Sequence, residues 1–234
     1  MVKIDKGEIV KGSNEIDKEG KAIQYGNKKP WYLNEHPEHK VVVKEFYMDK
    51  FEVTNDDYHK FIEAKGHRTP SNWIKGLFPA NDAEKPVNMV SWFDAKAYCK
   101  WMKKRLPTET EWEKASRGTD GRRFPWGDQF NIKKLNTMGI HGGTTPVGIF
   151  EDGKSPYGIF DMAGNVQEWT IDSYKQYPGS DYKDDDFGER FKVVRGGGWG
   201  GIGHYGSEVY VRSAYRNYAP PGGTYDDVGF RCAW

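Results

Sequence analysis

Cysteine is nearly absent from this chain, with 2 among its 234 residues. Two cysteines are too few for a disulfide-framework miniprotein or for a closed zinc site. Their residue type and neighbourhoods leave open whether Cys99 and Cys232 are free buried thiols or a bonded pair.

Long apolar runs are missing as well. No stretch approaches the roughly 20 apolar residues of a transmembrane helix, and the first residues, MVKIDKGEIVKG, lack the apolar core of a signal peptide. We therefore expect no membrane span. The compartment stays open between cytoplasmic and exported or surface-anchored, because a chain of this kind can follow a removed leader.

An excess of one charge is also lacking, since 35 Lys and Arg oppose 34 Asp and Glu and leave a net charge of +1. Without a basic stripe, nucleic acid is not an expected partner. The chain is instead rich in aromatic residues (15%, with 9 Trp and 14 Tyr) and in glycine, of which it has 28. A core built from rings and many glycine-permitted turns predicts a loop-rich fold, and the length suits one domain.

Two helix starts are marked by capping residues in the first half of the chain. Thr54, with Asp57 three residues later, predicts a helix that ends at Gly66. Thr108, with Glu111 three residues later, forms a capping box and predicts a further short helix. Both patterns satisfy backbone amides that a helix start leaves without a partner.

A third helix is predicted between these two, beginning near Trp92. Its apolar face contains Ala95, Cys99 and Met102 at helical spacing. Pro107 is expected to stop this helix, because proline cannot continue one. The Cys99 side chain is therefore expected to point inward.

Strand patterns are short and lie near the N-terminus. Residues 8–10 and 40–48 have the composition and alternation of strands. Beyond Gly118 we predict no further helix of any length, because Gly, Pro, Asn and Asp recur every few residues. The charged run at residues 182–186 is expected to be a solvated loop.

Seven segments, taken in order, match the motifs of one known family. They are FYMDKFEVTNDDYHKFIEA, PVNMVSWFDAKAYCKWMKKRLPTETEWEKASRG, FPWGD, PYGIFDMAGNVQEWT, VVRGGGW, RSAYR and VGFRCA. In order, spacing and length the chain resembles the formylglycine-generating enzyme, or sulfatase-modifying factor, family. The resemblance implies a single α+β domain over residues 1–234, with a loop-rich C-type-lectin-like fold of low regular secondary structure. Residues 192–234 would form its ligand-binding or variable C-terminal region.

The resemblance also implies a structural calcium site in the segment DMAGNVQE. Mapped position by position, the implied ligands are Asp161, Met162, Gly164, Val166 and Glu168. Those without acidic side chains would contribute backbone carbonyls. Calcium suits such a set, because it takes roughly six to eight hard oxygen ligands and accepts carbonyls freely.

The two cysteines acquire a shared position from the same resemblance. In family members the residues corresponding to Cys99, in AYC, and Cys232, in GFRC, can be joined, which ties a helix to the last strand. We expect the two side chains to lie close together, and to form a disulfide if the protein is exported.

The copper ligands of the catalytic family members are missing. Those enzymes bind copper through two cysteines a few residues after a GGS motif, since thiolates are soft ligands that suit Cu(I). Residues 200–207 contain no cysteine here, and Gly198 stands where the motif has serine. No copper and no catalytic residue are therefore expected.

A histidine pair in HPEH, His36 and His39, is the nearest candidate for another metal. A related branch, the iron-dependent sulfoxide synthases, holds iron with a histidine cluster from an additional domain. Two histidines alone make an incomplete facial triad, so we expect this pair to lie on a solvated loop.

A binding surface is the function that remains. The terminal region is rich in Tyr, Gly and Asn, which is typical of binding loops because tyrosine gives contact area at low entropic cost. The candidate ligand-binding residues are Trp199, His204, Tyr205, Tyr215, Asn217, Tyr218, Tyr225, Asp226 and Asp227. We expect a calcium-stabilised, non-catalytic protein that presents these loops to a protein or other macromolecular ligand.

Two further hypotheses stay open. The terminal region is similar to the variable proteins of diversity-generating retroelements, which randomise asparagine codons between comparable anchors, so the segment would be diversified. The alternative function is a metal-dependent oxidoreductase or maturation factor of the same superfamily with an atypical active site. The sequence gives neither the ligand nor the oligomeric state.

Overall fold

Short helices and strands, separated by long ordered loops, form the α+β architecture that the resemblance implies. The computed structural model describes residues 1–24, 27, 29–200 and 208–234. The helices are α1 (Lys21–Gln24), α2 (Asn55–Lys65), α3 (Trp92–Trp101) and α4 (Glu109–Arg117). The strands are β1 (Val2–Ile4), β2 (Gly7–Lys11), β3 (His39–Val43), β4 (Phe46–Met48), β5 (Gln167–Ser173), β6 (Lys192–Arg195), β7 (Asn217–Ala219) and β8 (Val228–Gly229). None of the helices in these ranges is long and apolar enough to cross a membrane.

Both helix starts predicted from capping residues are confirmed. The Thr54 hydroxyl accepts the Asp57 amide at the start of α2, and the helix ends at Gly66 in the left-handed conformation (φ 62°). At the start of α4 the Thr108 hydroxyl accepts the Glu111 amide (3.1 Å), and the Glu111 carboxylate accepts the Thr108 amide (2.8 Å). These bonds are local in sequence, which explains why the pattern predicts them.

The predicted third helix exists as α3, but its end differs from the prediction. Ala95 and Cys99 are buried as expected. The prediction for Met102 is wrong, because α3 ends at Trp101 and the Met102 side chain is 40% exposed. Lys103 turns the chain with a left-handed φ of 59°. The helix therefore stops before Pro107 can act on it.

The strand predicted over residues 40–48 is divided into two. β3 pairs antiparallel with β2, whereas β4 pairs antiparallel with β1, so the two halves belong to separate two-stranded sheets. Lys44 and Glu45 separate them. A continuous alternating pattern does not reveal that the partner strand changes, because pairing is a long-range property.

A four-stranded sheet in the order β7-β6-β5-β8 organises the second half of the chain. β5 lies antiparallel to β6 and parallel to β8, while β7 is the antiparallel neighbour of β6. Glu168 aligns with Arg195 on one side and with Gly229 on the other. β5, which begins inside the predicted calcium segment (residues 161–168), therefore lies between β6, at the start of residues 192–234, and β8, near their end.

The main core is built largely from rings, as the composition predicts. The Tyr58 ring stacks on Tyr98 with a centroid separation of 5.8 Å and is edge-on to Phe61, Trp73 and Phe230. All five side chains are buried. This cluster packs α2 and α3 against the four-stranded sheet.

Cys99 and Cys232 lie in this core and form a disulfide. The bond joins α3 to the last residues of the chain, 133 positions away. Asp49 supports the same connection, because its amide donates to the Cys232 carbonyl (2.9 Å) and its carboxylate accepts the Cys232 amide (3.2 Å). The end of the chain at Cys232 is thus fixed by a covalent bond and by hydrogen bonds.

Candidate functional site

The calcium-type segment and the end of the chain meet at a buried ion pair. Arg231 donates to the Glu168 carboxylate through Nε (2.7 Å) and Nη2 (2.6 Å), and Trp112 Nε1 donates to Glu168 Oε2 (2.9 Å). Nη2 of Arg231 also donates to the Phe160 carbonyl (2.9 Å). The side chains of Arg231, Glu168 and Trp112 are all fully buried. Both oxygens of Glu168, a member of the predicted calcium set, are therefore already paired.

The turn from Asp161 to Gly164 has the geometry of a tight, buried loop. Asp161 has a left-handed φ of 56°, and its carboxylate accepts the Gly148 amide (2.7 Å). Burial raises the pKa of Asp161 to about 6. Gly164 has a φ of 78°, and a Cβ at this position would lie 2.2 Å from the Asn136 carbonyl oxygen. The turn therefore requires glycine, and it directs a buried carboxyl group inward.

A second buried carboxyl group, that of Glu52, lies beside this turn and escaped the sequence reasoning. It accepts hydrogen bonds from Asn165 Nδ2 (2.6 Å) and the Val166 amide (3.2 Å). Burial, followed by repulsion from Asp161 and Glu168, holds the pKa of Glu52 well above its usual range. Its position two residues before the Thr54 cap could have indicated that Glu52 faces inward.

The five predicted calcium ligands meet the requirements of a hard cation only in part. Asp161 and the glycine turn offer oxygen ligands in a buried loop, as calcium requires, whereas Glu168 is committed to Arg231. Within the described ranges, no three His, Cys, Asp or Glu side chains form a metal-binding group. A cation here would depend on the carbonyls of Met162, Gly164 and Val166, and the calcium site stays a prediction.

Trp199 and Asp226, two of the predicted ligand-binding residues, are in direct contact. Trp199 Nε1 donates to the Asp226 carbonyl (3.1 Å), and Asn88 Nδ2 donates to the same oxygen (2.6 Å). Asn72 Nδ2 in turn donates to Asn88 Oδ1 (2.8 Å). Beside them the Met89 amide donates to the Tyr225 carbonyl (2.9 Å). This chain of bonds fixes the indole and two amide side chains relative to each other.

These residues line a cleft of about 280 Å³, called here the amide cleft. Its lining residues are Asn55, Asn72, Trp73, Pro79, Asp82, Lys85, Pro86, Asn88, Gly142, Gly143, Thr144, Trp199 and Asp226. Of these residues, the sequence analysis predicted only Trp199 and Asp226 as ligand-binding. Asparagines and prolines in a loop between two helices match no catalytic motif. Their repeated occurrence between α2 and α3 was the one feature of the sequence that could have indicated the cleft.

Asn217 and Asp227 form a separate, inner group around Gln167. Asn217 Nδ2 donates to Gln167 Oε1 (2.8 Å), and Gln167 Nε2 donates to Asp227 Oδ2 (3.1 Å). The Gln167 amide also donates to the Asp227 carbonyl (2.7 Å). Asp227 is only 2% exposed. Its carboxylate therefore supports the scaffold from inside.

Gly198, at the position of the family serine, packs directly against Asp227. A Cβ on Gly198 would lie 2.9 Å from both Cβ and Oδ2 of Asp227. Such separations are too short for two non-bonded atoms, so any larger residue at position 198 would have to displace Asp227. The loss of the motif serine and the position of Asp227 are thus linked sterically.

Tyr218 belongs to a third group, formed with the acidic loop. Its hydroxyl donates to Asp186 Oδ2 (2.5 Å) and accepts Lys29 Nζ (3.0 Å), and its ring stacks on Tyr174 at 4.1 Å. Lys29 also donates to Asp184, whose side chain is 1% exposed. The expectation of a solvated loop at residues 182–186 is therefore wrong for Asp184, because a lysine from a distant segment neutralises it.

The remaining predicted ligand-binding residues do not join one continuous surface within the described part of the chain. The Tyr215 ring is edge-on to Tyr210 at 5.3 Å, whereas the Tyr225 ring packs against the main core. His204 and Tyr205 lie outside the described residues. The described members of the predicted set are thus divided among the amide cleft, the Gln167 group, the Tyr218 group, the contact with Tyr210 and the main core.

The HPEH histidines bond to backbone carbonyls. His36 Nε2 lies 2.5 Å from the Glu15 carbonyl oxygen, and His39 Nδ1 lies 2.8 Å from the Pro37 carbonyl oxygen. Each ring therefore has one nitrogen held by the backbone. The expected solvated loop is wrong for His39, which is half-buried and is the first residue of β3, where it pairs with Lys11.

Comparison with known proteins finds relatives that match over most or all of the chain. The model of the sulfatase-modifying factor enzyme 1-like domain matches residues 1–234. The chain is 30% identical to a Bos taurus protein named inactive C-alpha-formylglycine-generating enzyme 2, over 94% of this chain and 87% of that protein. Among solved structures, PvdO from Pseudomonas aeruginosa has a TM-score of 0.75 at 25% identity, covering 99% of this chain and 92% of its own. Treponema denticola variable protein 1 has a TM-score of 0.75 at 22% identity, covering 100% and 94%.

Loss of the buried carboxylate should be costly. We expect Glu168→Gln to lower the free energy of unfolding by about 3–5 kcal/mol, because Arg231 would remain buried without a counter-charge. Urea denaturation measures the change. Glu8→Gln is the control, since its ion pair with Lys40 is largely exposed and its loss should cost about 0.5 kcal/mol or less. Equal losses in the two variants would contradict the importance of the buried pair.

A single methyl group at position 198 should also destabilise the fold. We expect Gly198→Ala to cost about 1–3 kcal/mol, because the new Cβ overlaps Asp227. Gly222→Ala is the matched control, since a Cβ there meets nothing within 4 Å. Thermal or urea unfolding compares the two, and an unchanged stability in Gly198→Ala would show that Asp227 can move freely.

Proposed function

Because the chain belongs to the sulfatase-modifying factor enzyme 1-like family, we propose that it is a non-catalytic member that uses the family scaffold to bind a macromolecular ligand. The observation that carries this proposal is the contact between Gly198 and Asp227. Where the catalytic motif has a serine, this chain has no side chain, and a buried carboxylate occupies the adjacent space.

The state of the cysteines supports the absence of copper chemistry of the family type. The chain has only Cys99 and Cys232, and both are buried and used in a disulfide. Neither is therefore a thiolate that could bind Cu(I). The bovine relative, which is similar over most of both chains, is itself named inactive.

The amide cleft is the part of the surface that best supports binding. It is concave, and Trp199 is held at its wall by the bond to the Asp226 carbonyl. A side chain fixed before binding loses little entropy when a ligand arrives. The fold shared with Treponema denticola variable protein 1 is compatible with this role. A diversified terminal segment would have to respect the core, since Ala219 and Asp227 are buried.

Calcium supports the scaffold in this proposal. Asp161 and the carbonyls of Met162, Gly164 and Val166 would hold the ion, and a bound divalent cation would offset the negative charge of the buried carboxyl groups. Burial raises the pKa of Asp161, so ionising this carboxyl group costs more free energy in the folded protein than in water, and a bound cation would offset that cost.

The pH dependence of stability tests the calcium proposal. Since the pKa of Asp161 is raised from 3.8 to about 6, calcium-free protein should lose stability as pH rises from about 4 to 6, by at most about 3 kcal/mol from this group. Asp161→Asn should remove that loss, and asparagine tolerates the left-handed φ. We expect calcium to raise the Tm of the natural protein more at pH 7.5 than at pH 5. An equal calcium effect in Asp161→Asn would refute the site.

Two measurements test the function itself. Incubated with Cu(I) and a cysteine peptide derived from a sulfatase, the protein should leave the cysteine unchanged by mass spectrometry. Aldehyde formation would instead establish catalysis. For a ligand selected from a panel of immobilised proteins and glycoproteins, Trp199→Ala should weaken binding at least tenfold, as for an aromatic residue that is buried on binding. Ile149→Ala, at an exposed apolar residue outside the cleft, should have no effect, and equal effects would argue against the cleft.

A further inference from the structure

The ligand chemistry of the amide cleft can be derived from its hydrogen-bonding groups. Asn72 donates one hydrogen bond to Asn88, Asn88 donates one to the Asp226 carbonyl, and Asn55 donates one to the Asp82 carbonyl (2.8 Å). An amide side chain has two donor hydrogens and an acceptor oxygen with two lone pairs. Each of these three amides is therefore fixed in orientation and retains capacity for further hydrogen bonds.

The charges of the cleft do not favour an ionic ligand. Lys85 Nζ lies 2.7 Å from Asp82 Oδ1, so this lysine already has a counter-charge. Among the described lining residues Lys85 is the one cation, and Asp82 and Asp226 are both acidic. Phosphate or carboxylate groups would thus find no unneutralised positive charge. A neutral ligand fits better.

The shape of the cleft favours a compact ring over an extended peptide. A volume of about 280 Å³ is at the lower end of small-molecule sites. The described lining residues come from loops and from the first residue of α2, with no strand among them. A peptide therefore cannot bind here by adding a strand to a sheet edge. Trp199 provides an aromatic surface, whose negative face suits the polarised C–H groups of a sugar ring.

We propose that the amide cleft binds a neutral saccharide unit, with hydroxyl groups on the amides of Asn72 and Asn88 and the ring against Trp199. Hydroxyl groups both donate and accept, and so match amides that still offer both functions. This inference rests on the proposed binding function and specifies its ligand. The macromolecular ligand would then be recognised through a glycan.

A glycine at the cleft wall permits a direct test. A Cβ on Gly143 meets nothing within 4 Å, and its φ lies outside the left-handed region. Gly143→Phe should therefore fill the cleft without disturbing the fold. Gly222→Phe is the matched control, because it also meets open space and lies outside the cleft lining. Equal Tm values for both variants and the natural protein would establish that folding is intact.

Isothermal titration calorimetry with named probes decides the question. The probes are glucose, galactose, mannose and N-acetylglucosamine, their β-linked disaccharides, and a neutral capped tripeptide. We expect at least one saccharide to bind with a Kd of about 1 mM or tighter, as is reasonable for a small ligand. Gly143→Phe should weaken that binding at least tenfold, Asn72→Ala several-fold, and Gly222→Phe not at all.

The contrary outcomes are distinct. If no saccharide binds, or if binding is unchanged in Gly143→Phe, the saccharide assignment is overturned. If the tripeptide binds instead and Gly143→Phe blocks it, the saccharide assignment is also overturned, whereas the proposed binding function stands. Formation of an aldehyde in the cysteine-peptide assay would remove the non-catalytic proposal without deciding what the cleft binds.

Discussion

The buried contact between Arg231 and Glu168 is the interaction on which the arrangement of this molecule depends. It joins three segments that are distant in sequence, because Trp112 donates to the same carboxylate that Arg231 binds. The guanidinium also reaches the Phe160 carbonyl, so the loop before the calcium-type turn is fixed by the same side chain. A fold with short strands and few helices has limited backbone pairing to define its shape. Buried side chains that form hydrogen bonds to several loops define the shape of the fold instead.

A second buried network, on the same face of β5 and β6 and beside Trp112, follows the same principle. Arg195 donates to Glu109 (2.9 Å) and Glu113 (2.8 Å), and Arg216 donates to Glu109 (2.6 Å). Arg195 is the last residue of β6, near the start of the terminal region (residues 192–234), and Arg216 lies in the middle of that region. Since removing one member would leave a buried charge without a partner, these two arginines tie the terminal region to α4. The terminal region is thus held to α4 by buried charges, and its last residues are held to α3 by the disulfide.

Local patterns were enough to predict the starts of α2, α3 and α4, and long-range contacts account for most of what was missed. Thr54 and Thr108 bond to residues three positions away, so the caps are visible in the sequence. The pairing of Asp184 with Lys29 spans 155 positions and has no local signature. For the same reason the predicted ligand-binding residues could be listed but not placed. Asn217, Asp226 and Tyr218 fall into separate groups because they bond to different residues outside the terminal region, namely Gln167, Asn88 and Lys29.

Most of the residues that line the amide cleft lie outside the terminal region. Asp226 contributes a backbone carbonyl that accepts both the Trp199 indole and the Asn88 amide, and Asp227 lies inside against Gly198 and Gln167. The end of the terminal region therefore acts as a support, while the loop between α2 and α3 supplies much of the cleft wall. Substitutions at Asp226 keep its carbonyl, because every residue has one, and so preserve the position of Trp199. Substitutions at Asn72 or Asn88 change the hydrogen-bonding groups of the wall directly. If the amide cleft is the binding site, its specificity should therefore vary with the loop between α2 and α3, which the composition of the terminal region alone does not indicate.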